Sequence, residues 1–262
     1  MKNKRFWLGM LVLALAFGMT VVGCGDEEED SKTPFPTDGT LEEKLTWVSG
    51  DNVEDGETYI IEVTADETIS GHDISPYKNI TIVLKGIGAE RKISLGEGGG
   101  YLFSVGQYVT LVLDENITLQ GRSDNTTSLV IVRGGGLEMK AGAKIIGNTN
   151  TASGGGGVYV SNGGTFTMNG GTISGNTATG SSGGGGVYVI GTFTKTGGTI
   201  YGYSESDTVN NNVAKNSADA VQNNRGHAVY VNSSPAKHRE TTAGPSVNLD
   251  STKTGAEGGW EN

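Results

Sequence analysis

A single cysteine, Cys24, stands in 262 residues, so no internal disulfide can form and the folded body must be held by packing and hydrogen bonds alone. Only three histidines are present, and His72, His227 and His238 have no Cys, His or carboxylate at ligand spacing, which argues against a metal site. Basic residues are outnumbered 19 to 29, giving a net charge of −10. That balance lacks the basic footprint nucleic-acid binding requires. The glycine-rich runs carry no phosphate-loop lysine and do not open a helix, and calcium-binding Gly-Asp nonapeptides are missing as well, so no cofactor is implied. Only one long apolar run occurs, at the very front.

That run extends from Phe6 to Val22 behind Lys2, Lys4 and Arg5, and closes in Val21-Val22-Gly23-Cys24. A charged front, an apolar middle and a small-residue cleavage site form an export signal, and the lone cysteine falls where a bacterial lipoprotein is lipidated. A membrane span is disfavoured, because the run is short of the ~20 residues needed and Asp26-Glu27-Glu28-Glu29-Asp30 follows at once. The expected organisation is therefore a signal peptide over 1–23, an acidic, Pro-containing tether over 24–40, and a folded domain over 41–262. Removal of Lys2, Lys4 and Arg5 makes the mature chain more acidic still, which keeps it soluble and away from anionic head groups.

What is abundant is glycine, at 44 positions, and it recurs in register with short apolar patterns. At an offset of 29, Leu129, Ile131, Leu137 and Met139 fall on Val158, Val160, Phe166 and Met168, and Val158 and Val160 fall on Val187 and Val189. Phe166, Met168 and Ile173 recur 27 residues later as Phe193, Lys195 and Ile200. A fixed period in this range denotes stacked structural units. Within one unit, Val158–Val160, Thr165–Met168 and Thr172–Ser174 alternate apolar with polar as half-buried strands do, separated by Asn-Gly-Gly corners that accept positive φ.

Three strands and three corners per unit predict a right-handed parallel β-helix in one domain, of about seven partial turns and roughly 30 Å in height at one strand spacing per turn. The expected inward rows are Leu129, Val158, Val187 and Val229; Leu137, Phe166 and Phe193; and Ile145, Ile173 and Ile200. The pattern runs back through Phe103, Val105, Leu111, Leu113 and Leu119 to Ile82, Leu84, Ile61, Val63 and Ile69. Leu41, Leu45 and Val48 recur at helical spacing, which predicts a short helix capping the first turn. At the far end, Val247 and Leu249 are placed to add a last strand. Lys195 stands in the row of Met139 and Met168, where burying a cation is costly, and is expected to reach solvent.

The repeated motifs carry a resemblance over most of the chain. Gly-Gly-Gly-Gly-Val-Tyr-Val at 154–160 and 183–189, Gly164 to Thr177, Asn79 to Gly86 and Ser246 to Ser251 resemble segments of repeat-containing lipoproteins of treponeme-type spirochaetes. The alternating Gly-Gly-x-aliphatic and Asn motifs are also similar to those of polymorphic outer-membrane adhesins. The resemblance implies lipid anchoring in the cell envelope, at the outer membrane or cell surface with the periplasmic face also open, and an adhesive role toward a host or matrix protein.

The repeated strands carry almost no acids, whereas a β-helix that cleaves polysaccharide needs paired carboxylates or a base beside bound calcium. No catalytic residue is expected. A polysaccharide lyase or hydrolase remains the alternative, should the charged residues of the 201–228 insertion (Glu205, Asp207, Asp219, Arg225, His227) converge with others. Ice binding by the Thr165, Thr167, Thr192 and Thr194 grid is disfavoured by Gly136 and Glu138 in the preceding turn. Asn148 and Asn176, following Gly147 and Gly175, are expected to hydrogen-bond along the stack as corner residues. The acceptor patterns at Asn116 and Asn125 carry little weight in a bacterial lipoprotein.

The outward row that stands out is Tyr159, Tyr188 and Tyr230, each between two core valines and therefore facing away from the core. Such an exposed strip either binds an extended glycan or peptide or shields the sheet, its rings stabilising one another across turns. The expected function is a non-catalytic binding or adhesion scaffold, attached to the membrane through lipid on Cys24, with these three tyrosines as the candidate contact residues.

Overall fold

The structure, a computed structural model, describes residues 33–180, 183–222 and 226–232, together with the backbone of 237–238. Cys24, the 1–23 segment, the acidic part of the tether, Arg225 and the expected last strand at Val247–Leu249 lie outside the described residues.

The alternation read from the sequence becomes strands that pair in parallel with their counterparts one turn later. The first tier holds β1 (Thr58–Val63), β2 (Glu67–Ile69) and β3 (His72–Ile74); the second β4 (Ile80–Gly86), β5 (Arg91–Leu95) and β6 (Phe103–Val105). The third holds β7 (Val109–Leu113), β8 (Ile117–Gln120) and β9 (Val130–Val132). In the fourth lie β10 (Gly136–Met139), β11 (Lys144–Ile146), β12 (Thr149–Asn150) and β13 (Val158–Val160), and in the fifth β14 (Thr165–Met168), β15 (Thr172–Ser174), β16 (Thr177–Ala178) and β17 (Val187–Val189). The sixth holds β18 (Thr192–Lys195), β19 (Thr199–Ile200), β20 (Val213–Ala214) and β21 (Val229–Val231), and β22 (Lys237–His238) pairs antiparallel with β21.

The result is an all-β parallel solenoid. From β1 to β18 the chain makes about five revolutions, fewer than the seven partial turns expected, because the groups at the two ends, Ile61, Val63 and Ile69 in front and Val229 behind, are incomplete revolutions. Three sheets form the faces, which we label A (β1-β4-β7-β10-β14-β18), B (β2-β5-β8-β11-β15-β19) and C (β3-β6-β9-β13-β17-β21-β22). From the fourth tier on, a fourth and shorter sheet, β12-β16-β20, appears in addition to the three strands per unit expected.

Inward side chains stack on their own equivalents. Leu111, Leu137, Phe166 and Phe193 form one row, the two phenylalanines stacking at 4.8 Å and 14°. Leu119, Ile145, Ile173 and Ile200 form another. The row in sheet C is shifted by one residue from expectation: Val130, not Leu129, lies beneath Val158 and Val187. Leu129-Val130-Ile131-Val132 is apolar throughout and all four are buried, so no alternation fixes its register.

Lys195 is also corrected. It is fully buried at the end of the Leu113, Met139 and Met168 row rather than reaching solvent. The parallel register, set by the Phe166–Phe193 stack two residues earlier, directs it inward.

The first tier is capped as expected by α1 (Leu41–Val48), which buries Leu41, Leu45 and Val48. Its start is fixed by a capping box: the Glu43 amide donates to Thr40 Oγ1 at 3.2 Å and the Thr40 amide to Glu43 Oε2 at 2.7 Å. The Thr40 amide, and then the Thr40 hydroxyl at 3.0 Å, hold the Glu43 carboxyl below its ordinary pKa. Phe35 packs with Trp47 and Tyr59 at 5.3 and 5.7 Å, so the packed body begins ahead of the helix.

Candidate functional site

The outer face of sheet C carries, in register, Asp73, Ser104, Ile131, Tyr159, Tyr188 and Tyr230. The three tyrosines thus form the continuous row read from the sequence, and Ile131, aligned in the sequence with the inward Val160, lies directly beneath it instead. Ring centroids are 5.5 Å apart between Tyr159 and Tyr188, at 45°, and 5.3 Å between Tyr188 and Tyr230, at 3°. Separations in this range contribute about 0.5–1.5 kcal/mol per pair beyond area burial.

The row is not uniformly exposed. Tyr159 and Tyr230 are partly exposed, but Tyr188 is only 6% exposed. A ring packs on it from either tier, Tyr230 parallel and Tyr159 tilted. Beside it run the glycine segments Gly154–Gly157 and Gly183–Gly186. A Cβ on Gly155 would lie 2.0 Å from the Val158 carbonyl oxygen and 2.8 Å from the Tyr188 nitrogen; one on Gly184 would repeat those clashes at Val187 and Tyr230. The four-glycine runs therefore let backbone close against the strands that present the rings.

The corner asparagines behave as the sequence predicts and extend further. Asn125 Nδ2 donates to Asn148 Oδ1 at 2.9 Å, the Asn148 amide to Asn176 Oδ1 at 3.1 Å, and the Asn176 amide to Asn212 Oδ1 at 3.0 Å. All four are buried, and their side-chain amides also satisfy carbonyls of neighbouring strands, such as Gly156, Ile145 and Ile173. Asn212 escaped the sequence reading because the insertion places it 36 residues after Asn176.

Among the described residues, the charged side chains do not gather. Lys140 pairs with Asp114 at 3.5 Å and Lys144 with Glu90 at 2.6 Å, each across tiers. The Glu90 carboxyl is held below its ordinary pKa chiefly by Lys144 and then by the Thr118 hydroxyl. Arg133 lies over the Tyr101 ring at 5.7 Å, and Glu138 accepts from Asn169 Nδ2 at 3.1 Å. In the insertion, Asp219 pairs with Lys215 at 2.9 Å, and Asp207 caps its own loop by accepting from the Asn210 amide at 2.9 Å. His227 is buried against Tyr203 at 5.2 Å, its Nδ1 accepting from the Ala214 amide at 2.9 Å, and burial lowers its pKa to about 4. Among the described residues, no three His, Cys, Asp or Glu side chains are grouped to hold a metal ion, and no helix is long and apolar enough to cross a membrane.

Comparison with protein-family models, with curated proteins and with solved structures finds no match to the chain. The class defined by its structure is the parallel β-solenoid, a fold that hosts enzymes and binding proteins alike.

Proposed function

We propose that this chain is a cell-envelope lipoprotein, anchored through lipid on Cys24, whose solenoid serves as a non-catalytic binding or adhesion scaffold at the outer membrane or cell surface. The observation that carries the binding reading is the in-register stack of Tyr159, Tyr188 and Tyr230 on successive strands. A row with one ring per turn matches an extended partner, a glycan or a host or matrix polypeptide, better than a compact one. Contact falls mainly on the partly exposed Tyr159 and Tyr230, with Tyr188 holding the two in line. The resemblance to treponeme-type lipoproteins supports the same location. The non-catalytic reading draws support from the partners that Asp114, Glu90, Asp207 and Asp219 already have, within their own loops for Asp207 and Asp219, one tier on for Asp114 and two tiers on for Glu90.

Binding of the full chain to glycan arrays and host-matrix proteins, compared with the Tyr159→Ser/Tyr188→Ser/Tyr230→Ser variant, tests the row. Loss of binding with the fold retained is expected; undiminished binding would move the site to the 201–228 insertion. For the anchor, metabolic palmitate should label the wild type and not Cys24→Ala, and equal labelling would refute lipidation at that position.

A further inference from the structure

A second site lies on a different face. The outer surface of sheet A holds a cleft of about 400 Å³ lined by Asn79, Tyr108, Thr110, Glu138, Thr165 and Thr167 and floored by Gly134–Gly136. Its volume falls within the range of about 300–1,000 Å³ of small-molecule sites.

The cleft exists because one side chain is missing. The outward row here runs Thr81, Thr110, Gly136, Thr165 and Thr192. Gly134 has φ +83°, and a Cβ on Gly135 would lie 2.1 Å from the Gly106 carbonyl oxygen, so the backbone demands both. Gly136 is under no such constraint: its φ is not positive, and an added Cβ would approach nothing closer than the Thr110 hydroxyl, at 3.1 Å. The fold would accept a threonine here, as it does in the neighbouring tiers, and the absence of one opens the floor.

Tyr108 supplies the aromatic wall. It is 49% exposed and adopts φ +71°, in the corner position that Gly134 and Gly163 fill in the next two tiers with φ +83° and +78°. A tyrosine in the left-handed region is unfavourable, and glycine would relieve the strain. The remaining polar lining is the Asn79 side-chain amide, which donates to Asp55 at 3.0 Å, the hydroxyls of Thr110, Thr165 and Thr167, and the carboxylate of Glu138, whose Oε1 already accepts from Asn169.

We propose that this cleft binds one pyranose unit of a neutral glycan, its apolar ring face on Tyr108 and its hydroxyls on the threonines and Glu138. An aromatic face beside hydroxyl-matched polar groups suits a sugar, and Glu138 disfavours a uronic acid by like charge. This site is independent of the tyrosine row on sheet C.

Saturation-transfer difference NMR of the full chain with maltotriose, chitotriose and galactotriose, and with trigalacturonate as the acidic probe, tests it. At least one neutral trisaccharide should give a signal stronger than that of trigalacturonate. Tyr108→Gly should weaken binding about tenfold while melting no lower than wild type, because the strain is relieved. Gly136→Thr should abolish the signal by filling the floor, with an unchanged circular dichroism spectrum. Tyr159→Ser/Tyr230→Ser should leave the signal intact, which separates this cleft from the row. Absence of signal from every neutral trisaccharide, preference for trigalacturonate, or full binding in both cleft variants would overturn the proposal.

Discussion

The front three tiers and the back three are held together by different chemistry. In front, strands are long, up to the seven residues of β4, whose side chains alternate strictly between buried and half-exposed, and charges such as Lys85 and Glu115 pair at 3.0 Å on the outer face. Behind, the strands of sheet A shorten to four residues and those of sheet B to three or two, and the cross-tier work passes to buried asparagines and to glycine backbones that touch. A short strand buries too little apolar surface to hold a turn by itself. The back tiers compensate with hydrogen bonds that a buried polar ladder makes only when every tier is in register.

The harshest way to break this comparison is to place a charge in the shared core. Phe166→Asp would bury a carboxylate between Leu137 and Phe193 and is expected to cost about 4 kcal/mol or more, unfolding the back tiers in urea. Next in size is His227, which ties β20 to the segment entering β21 within the last tier. Its pKa falls from 6.5 to about 4 on burial, so the neutral ring is the folded form. The stability it contributes is therefore fully present above pH 6.5 and is lost as pH falls through that value toward 4. The full loss is about 3 kcal/mol. Denaturation midpoints at pH 7.5 and 4.5 should differ in the wild type and differ less in His227→Gln.

Asn176→Ala removes the donor to Ile145, Ser174 and Asn212 and the acceptor of the Asn148 amide. A loss of about 2 kcal/mol is expected from the buried groups left unpaired, read as a shift in the urea midpoint. Smallest is Lys144→Ala, which breaks the exposed pair with Glu90 and should cost under about 1 kcal/mol, less still at high salt. If Lys144→Ala proved costlier than Asn176→Ala, the division of labour between ion pairs and asparagines would fail.

Much of the fold was legible because a β-solenoid writes its period into the sequence. The rows through Phe166 and Ile173 and the Asn148–Asn176 corner needed only alternation and spacing. Where alternation stopped, so did legibility: the apolar run Leu129–Val132 offered two registers, and the wrong one was preferred. Two-residue strands such as β12 and β16 carry no period at all, so the expected three strands per unit left out the fourth sheet. The direction of the tyrosine row followed from apolar-x-apolar patterning, but the burial of Tyr188 depends on ring stacking and glycine backbone from other parts of the chain. The cleft beside Tyr108 was invisible for a related reason. The break in the threonine grid at Gly136 stands in the sequence, but the wall beside it depends on Tyr108 taking a left-handed corner where the next two tiers have glycine.

Hydrogen exchange of the native full chain, resolved to single amides, tests most directly whether the glycine- and asparagine-rich half is a packed continuation of the apolar half. The amides of Asn148, Gly156, Asn176 and Gly186 donate across tiers, and each should be protected to a degree comparable with Ile82 and Leu111 of sheet A. Exchange of those four at the rate of an open loop, with Ile82 and Leu111 protected, would contradict it.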